Sequence, residues 1–395
     1  MKNNKIDKKI QAEIIKACET DPHRLSLTFK GLPEEDRIFI ARQVACRQKV
    51  RDKIPDFYRQ EELLYPSGAS IEQASSTATA QYKSQLVKGG TLIDITGGLG
   101  VDSYYFSKSA GKVIYVEKNR ELVEYAHHNF RILGVNNVDI IHEDGIDYIS
   151  KMEGTSSCIY IDPSRRRASS RIFKIEDADP NVLVVYDQLL VKTERMLIKL
   201  SPLIDLKYIT LHFRFVYQIH IVAVNNDCKE IILLLDRHAD TMDPQVISYS
   251  NEKGGASIFK SSLKSNKMAC GYDNPQQFLY DPNIAIRKSG LFNDLGNQYK
   301  LKKLAANSHL FTDSHLLDDF PGRVFVLKEI LTWKELLRTK KIRKANIATR
   351  NFHLRVSDIR KITGIKEGGD EYIFCTTSKD NKTMVLVTEK ADYKK

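Results

Sequence analysis

Four carboxylates, Asp94, Glu117, Asp144 and Asp162, each stand at or just after the end of a short apolar run. Between the first two, Thr96-Gly97-Gly98-Leu99-Gly100 turns the chain. Glycines allow backbone angles that other residues resist, and they let a ligand approach the main chain closely. A strand that ends in such a turn and opens a helix suits a nucleotide-like cofactor. A dinucleotide fingerprint wants a third glycine for tight helix–strand packing; Ser103 stands there instead. Asp94, inside the strand before the turn, would oppose a pyrophosphate with like charge. The same carboxylate can balance the ammonium of S-adenosylmethionine, so the pattern favours a methyl donor over NAD.

The remaining acids extend that reading. Glu117 follows Gly100 by 17 residues, near the spacing at which a second-strand carboxylate meets a ribose diol. Asp144 would accept from an adenine amino group, with the Gly145 amide beside it. Asp162-Pro163-Ser164-Arg165 is the candidate reaction site. Methyl transfer is an in-line displacement, so an enzyme mainly positions and desolvates. An amino nitrogen needs an acceptor for its proton, which the Asp162 carboxylate and the Pro163 carbonyl can supply. Attack through a pyrimidine carbon would need a cysteine nucleophile at this edge. The fifth strand offers Lys199-Leu200-Ser201-Pro202, and Cys158 sits at the start of its own strand. Arg165, Arg166, Arg167, Arg171 and Lys174 follow the site and could pair with substrate phosphate. A solvated charge run is the plainer account of them. Any one of the four acids could likewise be a turn residue or a helix cap.

The elements that must position these groups follow from periodicity. Thr91 to Ile95, Lys112 to Glu117, Val138 to Ile141, Cys158 to Ile161 and Met196 to Leu200 are expected as strands. Helices are expected between them, over Arg120 to Leu133, Ile146 to Met152 and Val182 to Thr193. Phe215 to Val224 and Glu230 to Leu235, joined at Asn225-Asn226-Asp227, read as a hairpin. Such alternation implies an α/β fold with a mostly parallel sheet and an antiparallel pair at its edge. Ligands on such sheets sit beyond the carboxyl ends of the strands. Ile71 to Lys83 is expected as one small-residue helix, with Gln73 and the Ser75-Ser76 pair lining the pocket or simply packing tightly.

The whole chain has 395 residues, enough for two or three domains. Residues 1–64 are expected as a helical segment, 65–240 as the cofactor-binding domain, 241–320 as linker and a small piece, and 321–395 as a smaller α+β domain. Leu64 to Gly68 is expected as a linker. The net charge of +11 favours an anionic partner such as nucleic acid over a merely basic surface. Arg42, Arg47, Lys49, Arg51 and Lys53 on an early helix could meet its backbone, or form a solvated face. Arg338, Lys340, Lys341, Arg343, Lys344, Arg350 and Arg355 form a dense basic run near the carboxyl end. Six scattered cysteines form no C-x-x-C pair, which argues against zinc or a disulfide scaffold and fits a reducing cytoplasm. No metal is expected. No apolar run marks a signal peptide or approaches a membrane span.

Leu92-Ile93-Asp94-Ile95-Thr96-Gly97-Gly98-Leu99-Gly100, Val116-Glu117, Glu143-Asp144-Gly145 and Asp162-Pro163 together resemble the class I S-adenosylmethionine-dependent methyltransferases, over about residues 70 to 238. From Phe320-Pro321-Gly322-Arg323-Val324-Phe325 onward, the chain is similar to a bacterial group that ends in a THUMP-like domain. The resemblance implies a Rossmann-like sheet, a ferredoxin-like piece before the carboxyl-terminal domain, and binding of structured RNA, often tRNA. It places the cofactor on Asp94, Thr96, Gly98, Gly100, Glu117, Asp144 and Gly145. Catalysis falls to Asp162 and Pro163, and substrate contacts to Gln73, Arg165, Arg166, Lys341 and Arg343. Thr96 stands where many members have glycine, and Ser164-Arg165 where amino-methylating members show proline and an aromatic residue. The expected activity is methylation of a base in tRNA or rRNA. A small-molecule methyltransferase and a non-catalytic RNA binder on the same fold are the alternatives.

Overall fold

The computed structural model describes residues 8–21, 25, 29, 31–165, 175–239, 243–265, 268–339 and 341–391. The chain divides into two compact units, residues 1–217 with 231–241, and residues 218–230 with 242–395. The first unit is built on strands β1 Thr91–Asp94, β2 Lys112–Glu117, β3 Val138–His142, β4 Ser156–Ile161 and β5 Thr193–Leu200. Val216–Val224 and Asp227–Asp236 follow as β6 and β7, and the division between units falls within them. The strand order β3-β2-β1-β4-β5 is parallel throughout, and residues 231–236 of β7 pair antiparallel with β5. The expected Rossmann-like sheet is therefore present, with an antiparallel strand beyond β5 that is not its edge, because the strand order continues past it. Its order reverses at β1 and β4, the place where ligands bind open α/β sheets.

Buried hydrophobic runs such as Ile159, Tyr160 and Ile161 form strands covered on both faces. Helix Arg120–Ile132 opens on Asn119, whose side chain accepts from the Glu121 and Leu122 amides, and it gives way at Gly134 with φ 68°. Three local expectations fail. Thr193 begins β5 rather than ending a helix, because its hydroxyl and backbone lie buried in the sheet. The helix expected over 71–83 is two helices, Gly68–Gln73 and Thr77–Gln85, since Ser76 turns extended and caps the second through the Thr79 amide. Leu64-Tyr65 is no loose linker. The Asn129 amide clamps the Leu64 backbone at 2.9 and 3.0 Å, and the Gln43 amide clamps that of Tyr65 at 2.8 and 3.0 Å.

The amino-terminal helices share a core with the glycine turn. Cys46, Val50, Ile54, Phe57, Tyr65 and Ile71 pack with Leu99, Val101 and Tyr105. The basic helix Glu34–Lys53 is largely used up internally. The Arg47 guanidinium is buried and donates to the carbonyls of Tyr58, Gln60 and Glu61 at 2.7 to 3.2 Å. Lys53 donates to the Ile71 carbonyl at 2.8 Å, and Lys49 pairs with Glu72. For these three residues the nucleic-acid contact gives way to chain-internal bonding.

In the second unit, β8 Gln245–Glu252 runs parallel to residues 218–224, and β9 Gly255–Ser262 returns antiparallel to it. The polar composition of 241–270 hid this hairpin from periodicity. A seven-stranded sheet follows, with main strands β10 Phe278–Pro282, β11 Phe311–Asp313, β12 Gly322–Leu331, β13 Asn346–Thr349, β14 Glu371–Thr377 and β15 Thr383–Lys390. Its order runs from Lys302–Lys303 through β11, β10, β12, β15 and β14 to β13. Along β14, Phe374 enters one core cluster while Ile373 and Cys375 enter another, so the period-2 pattern serves two buried faces.

Arg47→Met should lower unfolding stability by about 3 kcal/mol, because three backbone carbonyls lose the charge-assisted donors of one buried guanidinium. Urea unfolding measures it. An unchanged midpoint would return Arg47 to the list of groups available to a ligand.

Candidate functional site

β1 ends at Asp94, whose side chain is 1% exposed. One of its oxygens accepts from the Ser103 hydroxyl at 2.6 Å, the other from the Thr96 amide at 3.0 Å. Burial pushes its pKa up to about 7, with the charges of Asp102 and Asp162 adding to the rise and those two hydrogen bonds opposing it. The chain then turns to Gly100, which takes the left-handed conformation at φ 79° and opens helix Val101–Phe106. That helix runs into the buried face behind the turn, so Ser103 meets Asp94. The serine that breaks the dinucleotide fingerprint is thus the acid's own donor.

The turn is fastened from β2. Glu117 accepts from the Gly98 amide at 2.9 Å and, with its second oxygen, from the Asn119 amide at 2.8 Å. The Tyr115 hydroxyl donates to the Gly98 carbonyl at 2.7 Å. Beyond β3, Asp144 caps helix Gly145–Lys151 with one oxygen, 2.9 Å from the Ile146 amide. Gly145 comes so close to β1 that an added Cβ would lie 2.3 Å from the Ile95 carbonyl oxygen. The parallel registers carry Asp94, Glu117, Asp144 and Asp162 to the carboxyl edge of β1 to β4.

Thr96 joins the two sides of the reversal. Its hydroxyl oxygen accepts from the Asp162 amide at 2.8 Å and donates weakly toward Asp94 at 3.4 Å. A glycine here would lack that tie. Asp162 is half-buried, and its carboxylate takes the Lys199 ammonium from β5 at 2.6 Å on one oxygen. Among the described residues no donor reaches its other oxygen. Pro163 is buried beside it. Ser164–Arg165 then pairs with Ala178–Asp179, and Lys118 at the end of β2 holds Asp179 at 2.7 Å.

Behind this edge lies a buried network. Lys83, fully buried, stands 3.0 Å from Asp102 and 2.6 Å from the Ser75 hydroxyl. Asp102 also accepts from Ser75 at 2.8 Å and from the Tyr160 hydroxyl at 2.7 Å. Burial alone would raise the Asp102 carboxyl, yet Lys83, then Lys199, outweigh it and hold the group below the ordinary carboxylate range. Asp102, Lys83, Tyr160 and Lys199 were not among the expected site residues. A lysine and an acid, 19 residues apart on two different helices, leave no local spacing to detect. Gln73 is exposed at the end of its helix, and Lys341 and Arg343 are exposed in the second unit. Arg166, Arg167, Arg171, Lys174 and the Arg165 side chain lie outside the described residues.

The sheet order, the glycine turn and the four edge acids define a class I S-adenosylmethionine-dependent methyltransferase. Comparison with known proteins agrees. Residues 27–152 match the protein-L-isoaspartate (D-aspartate) O-methyltransferase family model, residues 278–321 a ferredoxin-like domain, and residues 322–390 a THUMP domain-like model. A solved structure from Porphyromonas gingivalis W83, provisionally designated a methyltransferase, is 30% identical, covers 98% of this chain and 99% of its own, and superposes with a TM-score of 0.89. The chain belongs to that family, class I methyltransferases that end in a THUMP-like domain.

An uncharacterized RNA methyltransferase of Thermotoga maritima is 26% identical over 31% of this chain and 30% of its own length. A 23S rRNA uracil-C5 methyltransferase of Legionella pneumophila is 32% identical over 25% of this chain and 23% of its own. The chain thus spans less than a third of either relative. No helix of the described residues is long and apolar enough to cross a membrane.

Lys83→Met should cost about 3–5 kcal/mol, because it takes the nearest cation from the buried Asp102 carboxylate. Lys83→Met with Asp102→Asn should recover part of the loss. Equal melting temperatures for wild type and Lys83→Met would remove the ion pair from the account.

Proposed function

We propose that this enzyme methylates a base of structured RNA, tRNA or rRNA, with the nucleophile placed against Asp162 and Pro163. The observation that carries the reading is the bridge Asp94–Thr96–Asp162, which couples the acid of the glycine turn to the acid beyond β4. Supporting the RNA substrate are the RNA methyltransferases among the relatives, the THUMP domain-like match and the net charge of +11.

The residues fit the cofactor. The Gly98 amide and the Glu117 carboxylate already face each other at the turn, and Gly145 leaves no side chain between β1 and the following helix. Asp94 would answer the cofactor's ammonium, Glu117 its ribose hydroxyls, and the second oxygen of Asp144 its adenine amino group. Thr96, Gly98 and Gly100 would wrap it closely. When bound, it supplies a methyl group on a positively charged sulfur. The chain's part is to aim a base nitrogen along the line of displacement and accept its proton. Lys199 engages one oxygen of Asp162, which leaves the other for an N–H of the base. Gln73, Arg165, Arg166, Lys341 and Arg343 would contact the RNA.

A nitrogen target is favoured over a ring carbon. Attack through carbon needs a thiolate, and Cys158 is buried with its thiol pushed up to about 12 by desolvation. A soluble cytoplasmic location accords with this substrate.

Labelled methyl transfer from adenosylmethionine to total RNA of cells lacking the gene tests the reading, with the product identified by nucleoside analysis. Asp162→Ala should lower transfer about 10²- to 10⁴-fold while cofactor affinity persists. Label entering a protein or small-molecule fraction and not RNA would sink it.

Cofactor affinity should also follow pH. The folded Asp94 carboxyl titrates near 7, so the carboxylate that meets the ammonium is lost below that value. Affinity should fall by up to tenfold per pH unit below 7 and level off above it. The stability sign runs the other way. Between about pH 4 and 7 folded Asp94 keeps a proton that the unfolded chain has released, so this group's contribution declines as pH rises to 7. Calorimetry from pH 5.5 to 8.5 on wild type and Asp94→Asn measures the affinity; matching slopes would remove Asp94 from the contact.

A further inference from the structure

We propose that the second unit holds a phosphate-binding site, built by Arg287, Arg323, Arg350 and Lys303 around Asp281, and that its occupant is a terminal phosphate of the RNA. Asp281 lies in β10 with its side chain 2% exposed. Arg323, its partner across β12, donates to one oxygen at 2.7 Å. Arg350, following β13, donates to both at 2.9 and 3.2 Å and to the Thr349 carbonyl at 3.0 Å. Both oxygens of the acid are thereby engaged.

A third guanidinium arrives without an acceptor. Arg287 lies on helix Ile284–Ser289; its guanidinium donates no hydrogen bond among the described residues, and its Nε is shielded from solvent. The Arg350 Nε is shielded and unmatched as well. Burial, then the nearby Arg350, lowers the Arg287 pKa, and Asp281 offsets only part of this. His309 stacks on Phe292 at 3.8 Å with its Nδ1 shielded and unmatched. Burial pushes its pKa down to about 4, and Lys303, Arg350 and Arg287 all add to the fall. Lys303 is 6% exposed; its ammonium donates to Asn293 at 3.1 Å and lies 5.9 Å from the centre of the Tyr272 ring.

Two guanidiniums therefore bond one carboxylate, a third stands close enough to feel all of these charges, and Lys303 joins Arg350 and Arg287 around His309, with shielded donors left over. Buried donors in native proteins are almost always matched, and each exception wants a cause. Like charges held together in a poor dielectric repel strongly unless an anion joins them. Guanidinium forks arriving from several elements fit the tetrahedral oxygens of phosphate, and an excess of positive charge fits its dianion. The match to a THUMP-like domain begins at residue 322, so the cluster draws on both the ferredoxin-like and the THUMP-like segments. The choice of an RNA phosphate over a free one rests on the RNA reading above; the site itself does not.

The test uses the full chain without adenosylmethionine, so a failure of methyl transfer cannot be confused with a failure of the site. Inorganic phosphate, compared with chloride at matched ionic strength, should raise the melting temperature by several degrees as it binds the folded state. Arg287→Met keeps the aliphatic stem. It should melt at or above the wild-type temperature without phosphate and lose most of the response to it. A residue serving only structure would instead lower the melting point. Lys303→Met, the second variant, should weaken the response. A short RNA with a 5′-phosphate should bind about tenfold tighter than its 5′-hydroxyl form, and Arg287→Met should erase that ratio. No phosphate response in wild type, or an unchanged response in both variants, overturns the site. Equal binding of the two RNAs overturns the RNA occupant and makes free phosphate the ligand.

Discussion

Three carboxylates, Asp94, Asp102 and Asp162, bear on one another where β1 meets β4, and two lysines answer them. Everything else in the first unit follows from keeping that charge arrangement out of bulk water. Buried acids repel, and each pays desolvation. Lys83 settles Asp102, Lys199 settles one oxygen of Asp162, and Asp94 is left with neutral donors alone. A carboxyl so placed titrates near neutrality and is ready for a cationic group. The same feature that weakens the empty fold makes the edge receptive to a positively charged donor.

The amino-terminal segment belongs to this arrangement. It leads into the turn that carries Ser75, between helices Gly68–Gln73 and Thr77–Gln85, and into Lys83 on the second of them, and both residues reach Asp102. The segment is held by the shared core from Cys46 to Tyr105 and by the amide clamps on Leu64 and Tyr65. Arg47, a tempting nucleic-acid contact, is what closes the turn at Tyr58 to Glu61. A cation on a helix is a ligand contact only when its donors are free, and here three backbone carbonyls claim them.

The second unit uses charge differently. Its sheet separates two apolar faces by strict alternation, while a group of arginines gathers about Asp281 with donors to spare. Where the first unit matches its acids closely, this one holds an excess of cations. The asymmetry suits a chain of net charge +11 whose reading requires it to hold a polyanion.

The sequence alone determined the alternation of strands and helices, the glycine turn, and the order of Asp94, Glu117, Asp144 and Asp162 at successive strand ends. Those features are local: apolar period, turn residues and caps act over a few positions, and a parallel sheet then aligns the strand ends automatically. It also carried the smaller α+β domain after residue 321, because strands and helices alternate there. The hairpin over 245–262 escaped, since its polar residues show no period. Only the tertiary structure decided which charges meet. Lys199 finds Asp162 across 37 residues, and Arg350 finds Asp281 across 69. It likewise decided that Thr96 bridges two acids and that Arg47 is spent on its own chain. Ion pairing and desolvation depend on distance in space and on exclusion of water, and neither is written in spacing along the chain.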